Sequence, residues 1–327
     1  MKQLSPWYLL CLMGGAMFTG LLSGGESGYP LPLGTTFKGE KKFQAIVEKA
    51  RKENWREKPI GERLIACAME LRGTPYKGFT LEIDDHIESP SANLEGLDCW
   101  SFFEISLGLA RMLESGGPDY QPQDLLNQIL LTRYRGGICT GSYLERLHYL
   151  AEWFFDNSAR GTIANVTGEL GSTKRVNGRK LQEMTVLWKS YRYLRETPSL
   201  RLPMAALEKE LSNLPVNYIP KSAVKSLESK LQNGDIIAIV TNQQGGFCSH
   251  VGLAVRTSDG VLRFMHASTH YHKVVIDDSL SEYLNKFKYH MGILVGRPLP
   301  ASGTVSDPTI YSTRLKALLA TESLVKP

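Results

Sequence analysis

Cysteine is scarce in this chain: there are five in 327 residues, and no two of them form a Cys-x-x-Cys pair. That spacing marks zinc ribbons and dithiol redox sites, so no metal site and no cofactor is expected. A Gly-x-Ser-x-Gly elbow is also missing, which excludes the usual serine α/β-hydrolase arrangement. Without internal repeats or low-complexity tracts, solenoids and long disordered tails are out. Lys and Arg together (38) barely exceed Asp and Glu (33) and are interspersed with them. No basic stripe results, so nucleic acid is not an expected partner. After the first 25 residues no apolar run is long enough to span a bilayer. What is present is an ordinary globular composition, 42% hydrophobic and 22% charged, and enough length for a sizeable core.

The N-terminus differs from the rest. Lys2 precedes the apolar run Trp7 to Met13, then small residues, Leu21-Leu22 and Ser23-Gly24-Gly25. This order predicts a secretory signal peptide over residues 1–25. The remainder is then expected in the periplasm, with no stable membrane association. Cys11 leaves with the leader. Cys67, Cys99, Cys139 and Cys248 remain, and four such cysteines allow three pairings. If one of them is a reactive thiol, at most one disulfide survives.

Residues 26–39 read as an extended arm. Phe43, Ile46, Val47 and Ala50 stand at helical spacing between Gly39 and Trp55, and a second helix runs from Pro59 to Leu71. Phe79 to Gly96 is polar and reads as a loop. Asp98 is a good N-cap for a nearly all-apolar helix from Cys99 to Leu113. Ser142-Tyr143-Leu144-Glu145 has the form of a capping box and predicts a helix through Phe155. Further helices are expected over 181–195, 203–212 and 222–232. From Asp235 the period changes. Strands are expected over 235–240, 249–256, 261–267 and 291–295, with a short helix over 279–287. Helices first and strands later predict an α+β fold with an antiparallel sheet, and the tail 301–327 reads as peripheral.

Cys99 stands in the first turn of its helix, where N–H groups and the helix dipole lower a thiol's pKa. A Cys on an apolar helix is more often structural, so this position alone decides nothing. A thiolate nucleophile needs an imidazole and an orienting partner for it. His250 opens one predicted strand and His266 closes the next, around Ser258-Asp259-Gly260. A three-residue hairpin loop pairs Thr257 with Val261 and sets His266 diagonally across from His250 on one face. A two-residue loop would put them on opposite faces. Gly252 and Ala254 on that face leave room for a helix to pack closely.

Five motifs in order carry a resemblance: Gly73-Thr74-Pro75-Tyr76, Leu97-Asp98-Cys99, Gly234-Asp235-Ile236, Ser249-His250-Val251-Gly252 and Met265-His266-Ala267-Ser268. They resemble the NlpC superfamily of papain-like cell-wall hydrolases. Tyr134-Arg135-Gly136-Gly137, Glu145 to Tyr149 and Lys273 to Asp277 are similar, more narrowly, to its N-acetylmuramoyl-L-alanine amidase-like family. The resemblance implies a papain-like α+β domain over 26–300 with a helical insertion at about 115–230. It implies hydrolysis of the amide between N-acetylmuramic acid and L-alanine, with peptidoglycan or muropeptide fragments as substrate. It also implies Cys99 as nucleophile, His250 as base and His266 as orienting residue, with Tyr76 near the oxyanion. Two other readings stay open: a γ-D-glutamyl stem-peptide endopeptidase of the same fold, and a non-catalytic wall-binding protein.

One departure bears on the substrate. The superfamily usually has Asp-Cys-Ser, where Asp and Ser hold a free stem-peptide amine; here Trp100 separates Asp98-Cys99 from Ser101. That change fits an acylated L-alanine nitrogen, and leaves Asp98 between ligand and helix cap. His148 is either a core histidine or a substrate contact. His270 and His272 read as surface residues, and Trp153, Phe154 and Phe155 as core.

Overall fold

The computed structural model describes residues 28–313 apart from Gly116, Pro118 and Tyr311. The expected signal peptide and most of the tail lie outside the described residues. Among the described residues, no helix is long and apolar enough to cross a membrane.

The helices that matter for the site are α1 (Glu40–Lys52), α2 (Ile60–Glu70), α3 (Cys99–Ser115), α4 (Pro122–Arg133), α5 (Leu150–Ala159), α6 (Arg201–Leu211), α7 (Lys221–Leu227) and α8 (Leu280–Asn285). The main sheet is built from β1 (Ile163–Asn165), β2 (Lys174–Arg175), β3 (Asn217–Pro220), β4 (Ile236–Thr241), β5 (Cys248–Arg256), β6 (Leu262–Ser268), β7 (Lys273–Ser279) and β8 (His290–Pro298). Its order is β2-β3-β8-β4-β5-β6-β7, with β1 also paired to β8. All these pairings are antiparallel. The α+β class and the four predicted strands are present. The segment expected to be a helical insertion also supplies β1, β2 and β3. These strands are only two to four residues long, too short to show a period.

The sheet divides the interior. On one side Val251, Leu253, Val255 and Met265 join Phe102, Phe103 and Leu107 of α3 in the larger core. On the other, Ala254, Phe264, Ile237 and Ile239 join Leu280, Tyr283 and Leu284 of α8. Alternation along β5 therefore decides which face each residue serves. The helix on the face of Gly252 and Ala254 is α8, with Tyr283, while the Cys99 helix α3 packs on the odd-numbered face. Gly252 is required because a Cβ there would stand 2.5 Å from the Met265 carbonyl oxygen and 2.7 Å from the Phe264 ring.

Helix α3 is buried almost all round, from Ser101 to Leu113. It packs tightly on α4 at Gly108, where a Cβ would lie 2.9 Å from Leu125 Cδ1. Helix α4 is an addition to the sequence reading, although Leu125, Leu126 and Ile129 stand at helical spacing and its start is signalled by Pro122 in the first turn and by Asp124, which accepts the Gln121 N–H at 2.8 Å. The helix expected from Ser142 to Phe155 is broken. The box closes only one tight turn, Tyr143–Glu145, before α5 begins at Leu150. Between them Arg146 is extended and bridges to Tyr134, and the Leu147 N–H goes to the Arg133 carbonyl. His148 thus sits in a break between helices and not on a helix face. The expected 181–195 helix is likewise three short turns.

Candidate active site

Helix α3 starts at Asp98. The Asp98 carboxylate accepts the Ser101 N–H and hydroxyl, both at 2.7 Å, and the Ser101 oxygen accepts the Asp98 N–H at 2.9 Å. This reciprocal cap uses the Ser that the Trp100 insertion displaced by one place. Burial raises the Asp98 pKa above the usual carboxylate range, and the Ser101 hydrogen bonds counter it only in part. Cys99 follows at the first helical position. The expected lowering of its thiol pKa is not found. Burial and the neighbouring Asp98 charge push it up to about 12, against the pull of the Val251, Trp100 and Cys99 N–H groups. The resting thiol is protonated.

Opposite Cys99 runs the start of β5. Ile239 of β4 pairs with His250 and Val240 with Cys248, so Ser249 is an extra residue in the strand. Such a bulge re-aims the side chain beside it, and His250 faces the same cleft as Cys99. The hairpin register agrees with the three-residue loop: Leu253 faces Met265, Ala254 faces Phe264, and Thr257 N–H bonds to Val261. His250 Nε2 lies 2.7 Å from His266 Nδ1. Burial, then the neighbouring His266 and His290, hold the His250 pKa well below the ordinary imidazole range. A neutral imidazole that shares a cleft with a thiol has the chemistry of a general base.

His266 does not line the cleft; it stands behind His250, against Phe264 at 4.8 Å and Tyr283 at 5.1 Å between ring centres. Its other nitrogen, Nε2, lies 3.3 Å from Asp277 Oδ2. His266 pairs with Val275 across β6 and β7, which puts Asp277 on the same face, one diagonal away. Lys286 Nζ bonds to Asp277 Oδ1 at 2.6 Å. Sequence reasoning quoted Asp277 within a motif and gave it no part; its period-2 relation to His266 was visible only once β7 was recognised as a strand.

The cleft above Cys99 encloses about 330 Å³. Tyr76, Asp98, His148 and His250 all line it with Cys99. Tyr76 is placed by a bridge to Leu97 and by its N–H to the His272 carbonyl at 2.9 Å. Burial, then Cys99 and Asp98, raise its phenol to about 12, so it remains a donor at neutral pH. His148 donates from Nε2 to the Tyr143 carbonyl at 2.8 Å, and burial, followed by Arg146, keeps it neutral.

The far wall is the polar loop predicted over 79–96. Its polarity is structural. Arg146 pairs with Glu82 at 2.5 Å and approaches Glu88 at 3.5 Å, Tyr134 donates to Glu88 at 2.7 Å, and Arg133 bonds to the Ser91 carbonyl at 2.8 Å. Arg133 itself is fully buried against Glu104 at 2.7 Å. The sequence gives Arg146 no visible part, because its partner Glu82 stands more than sixty positions away. At the mouth stands Phe79, 59% exposed, with φ of +57°. Trp153 and Phe154 are buried, as expected. The four described cysteines are unpaired, and the described residues contain no group of three or more His, Cys, Asp or Glu able to hold a metal.

Comparison with known proteins bears on this geometry. A family model described as AmiA-like, N-acetylmuramoyl-L-alanine amidase-like, matches residues 66–293. A crystal structure of an N-acetylmuramoyl-L-alanine amidase from Bacteroides uniformis is 28% identical with a TM-score of 0.64, covering 73% of this chain and 98% of that one. A protein from Bacteroides fragilis described as a putative xylanase is 33% identical with a TM-score of 0.61, covering 71% of this chain and 99% of that one. A Legionella pneumophila protein at 22% identity and a TM-score of 0.61 shares the fold, over 80% of this chain and 95% of its own. A search of curated proteins finds no match. The family match spans more than two thirds of the chain and contains Cys99, His250, His266 and Asp277, so the chain belongs to the N-acetylmuramoyl-L-alanine amidase-like family.

Proposed function

We propose that this protein is a cysteine amidase of the papain-like NlpC type, exported to the periplasm, that cleaves the amide between the lactyl group of N-acetylmuramic acid and L-alanine in peptidoglycan or muropeptide fragments. The observation that carries the reading is the pairing of Cys99, at a capped helix start, with His250 in one cleft, the far nitrogen of His250 being held 2.7 Å from His266. In the first step Cys99 Sγ adds to the lactyl carbonyl carbon while His250 takes the thiol proton. The N–H of Cys99, which no carbonyl of the helix can accept, and the Tyr76 hydroxyl face the oxyanion. Collapse breaks the C–N bond, and His250 returns the proton to the departing L-alanine nitrogen. Water, deprotonated by His250, then hydrolyses the thioester to the lactyl carboxylate and restores the thiol.

The test is product mass from a disaccharide-peptide. The expected products are a disaccharide without any amino acid and the whole stem peptide, and none should form with Cys99→Ala. A disaccharide still bearing L-alanine and D-glutamate would identify a γ-D-glutamyl endopeptidase instead. Binding without turnover would identify a wall-binding protein.

A further inference from the structure

The hydrogen-bonded chain that begins at His250 does not end at His266. His266 Nε2 meets Asp277 Oδ2 at 3.3 Å, and Lys286, at the end of α8, bonds to both Asp277 and Asp278, at 2.6 and 2.8 Å. The Asp277 side chain is only 5% exposed. Burial alone would raise its pKa, but the bonds from His266 and Lys286 outweigh it and hold the carboxyl well below its usual range. A carboxylate can only accept. The ring nitrogen facing it must therefore carry a proton, and in a neutral imidazole the other nitrogen is then a bare acceptor. His266 Nδ1 accepts, so the bond to His250 Nε2 takes its proton from His250. His250 is left with its lone pair on Nδ1, free for the thiol.

We infer that Asp277, held by Lys286, is a positioning residue that sets the tautomer of both histidines and so keeps the base nitrogen of His250 unprotonated. This rests on the reading of Cys99 and His250 given above. It assigns a task to a residue that touches neither substrate nor thiol. An asparagine at 277 can present an N–H to His266. The whole chain then reverses: His266 donates from Nδ1, His250 accepts on Nε2, and His250 Nδ1 carries the proton that blocks it.

The experiment uses Asp277→Asn, Asp277→Ala and Lys286→Met in the full chain, with disaccharide-peptide as substrate. Both Asp277 variants should lose at least about tenfold in kcat, with KM changed less than about twofold, as for other partners that orient a reacting imidazole. Lys286→Met should lose a few-fold. The Asp277 charge favours the protonated form of His250, so its removal should also move the acid limb of kcat/KM to lower pH. Tyr283, His290, Cys99 and Asp278, the other ionisable groups around the pair, are unchanged in all variants. Retention of more than half of kcat in both Asp277 variants overturns the inference. So does a loss with the acid limb unmoved, which marks a merely structural role. Independently of activity, long-range proton–nitrogen NMR on the wild type should show His266 protonated on Nε2; protonation on Nδ1 overturns it. If the wild type lacks amidase activity, the function reading fails, and the NMR result still decides the tautomer.

Discussion

Asp98 separates two roles that one side chain can play, and two substitutions tell them apart. Asp98→Ala removes the acceptor for the Ser101 N–H at 2.7 Å. Loss of such a cap costs about 1 kcal/mol. With an unfolding entropy of roughly 2 cal per mol per kelvin per residue, a domain of this size should melt about 2 °C lower. Asp98→Asn keeps an oxygen for the cap and removes the charge. The carboxyl of Asp98 has its pKa raised by burial in the folded protein. A raised carboxyl favours the native state only while protonated, so the charged form weakens folding once pH climbs through the folded pKa. The Asn variant should therefore match the wild type at acid pH and equal or exceed it at pH 7–8. The same charge raises the Cys99 thiol, so Asn should also speed alkylation of Cys99 by iodoacetamide at any pH below about 10, read by peptide mass. Calorimetry at pH 4.5 and 7.5 with alkylation rates completes the assay. If Asn melts as low as Ala at pH 7.5, or alkylates more slowly than wild type, the reasoning is wrong. If Asn instead raises KM about tenfold with stability intact, Asp98 binds substrate.

Gly252→Ala should destabilise by about 1–3 kcal/mol in urea, because the new Cβ meets the Met265 carbonyl and the Phe264 ring; a neutral effect would mean that the β5–β6 pair gives way easily. Phe264 packs against both histidines, so kcat should fall as well. Glu104→Gln removes the carboxylate paired with buried Arg133 and leaves Glu88 as a weaker opposite charge; it should cost about 3 kcal/mol, the low end for a broken buried pair, and a melting point within 2 °C of wild type would refute that. Phe79→Gly should hold or raise the melting temperature, since a bulky residue at positive φ stores about 1–3 kcal/mol, while raising KM for muropeptides several-fold by removing the aromatic at the cleft mouth. A lower melting temperature with KM unchanged would sink both halves.

The alternation of Val251, Leu253 and Val255 with small residues, and the apolar run of α3, are local signals, and both elements lie where the spacing puts them. The histidine pair was legible because a loop of three residues leaves one register. The failures have a common cause. The 142–155 helix breaks because Arg146 is drawn to Glu82 and Tyr134, and those partners are distant in sequence. The Cys99 thiol was expected low from its helix position, but desolvation in the cleft and the Asp98 charge outweigh a dipole, and the cleft is a property of the whole fold. The face that Gly252 serves could not be chosen from alternation, which says only that two faces differ. Strands β1, β2 and β3 are too short to carry a pattern of their own; β1 and β3 form on the open edge that β8 offers beside β4, and β2 forms on β3.

That open edge has a consequence for the order of events in the life of the chain. Strand β8 is the last of the sheet to leave the ribosome, and it pairs with β1 and β3 on one side and β4 on the other. Contacts so far apart in sequence form late, after the entropy of closing long loops has been met. Asp98 and Ser101 can cap the Cys99 helix early, but His250, its partner His266 and the strand that buttresses them arrive only when almost the whole chain has condensed. Under the function proposed above, a partly made or extended chain is therefore a thiol without a base. On that proposal, hydrolysis would switch on with folding itself and need no separate inhibitor to keep the nascent chain silent.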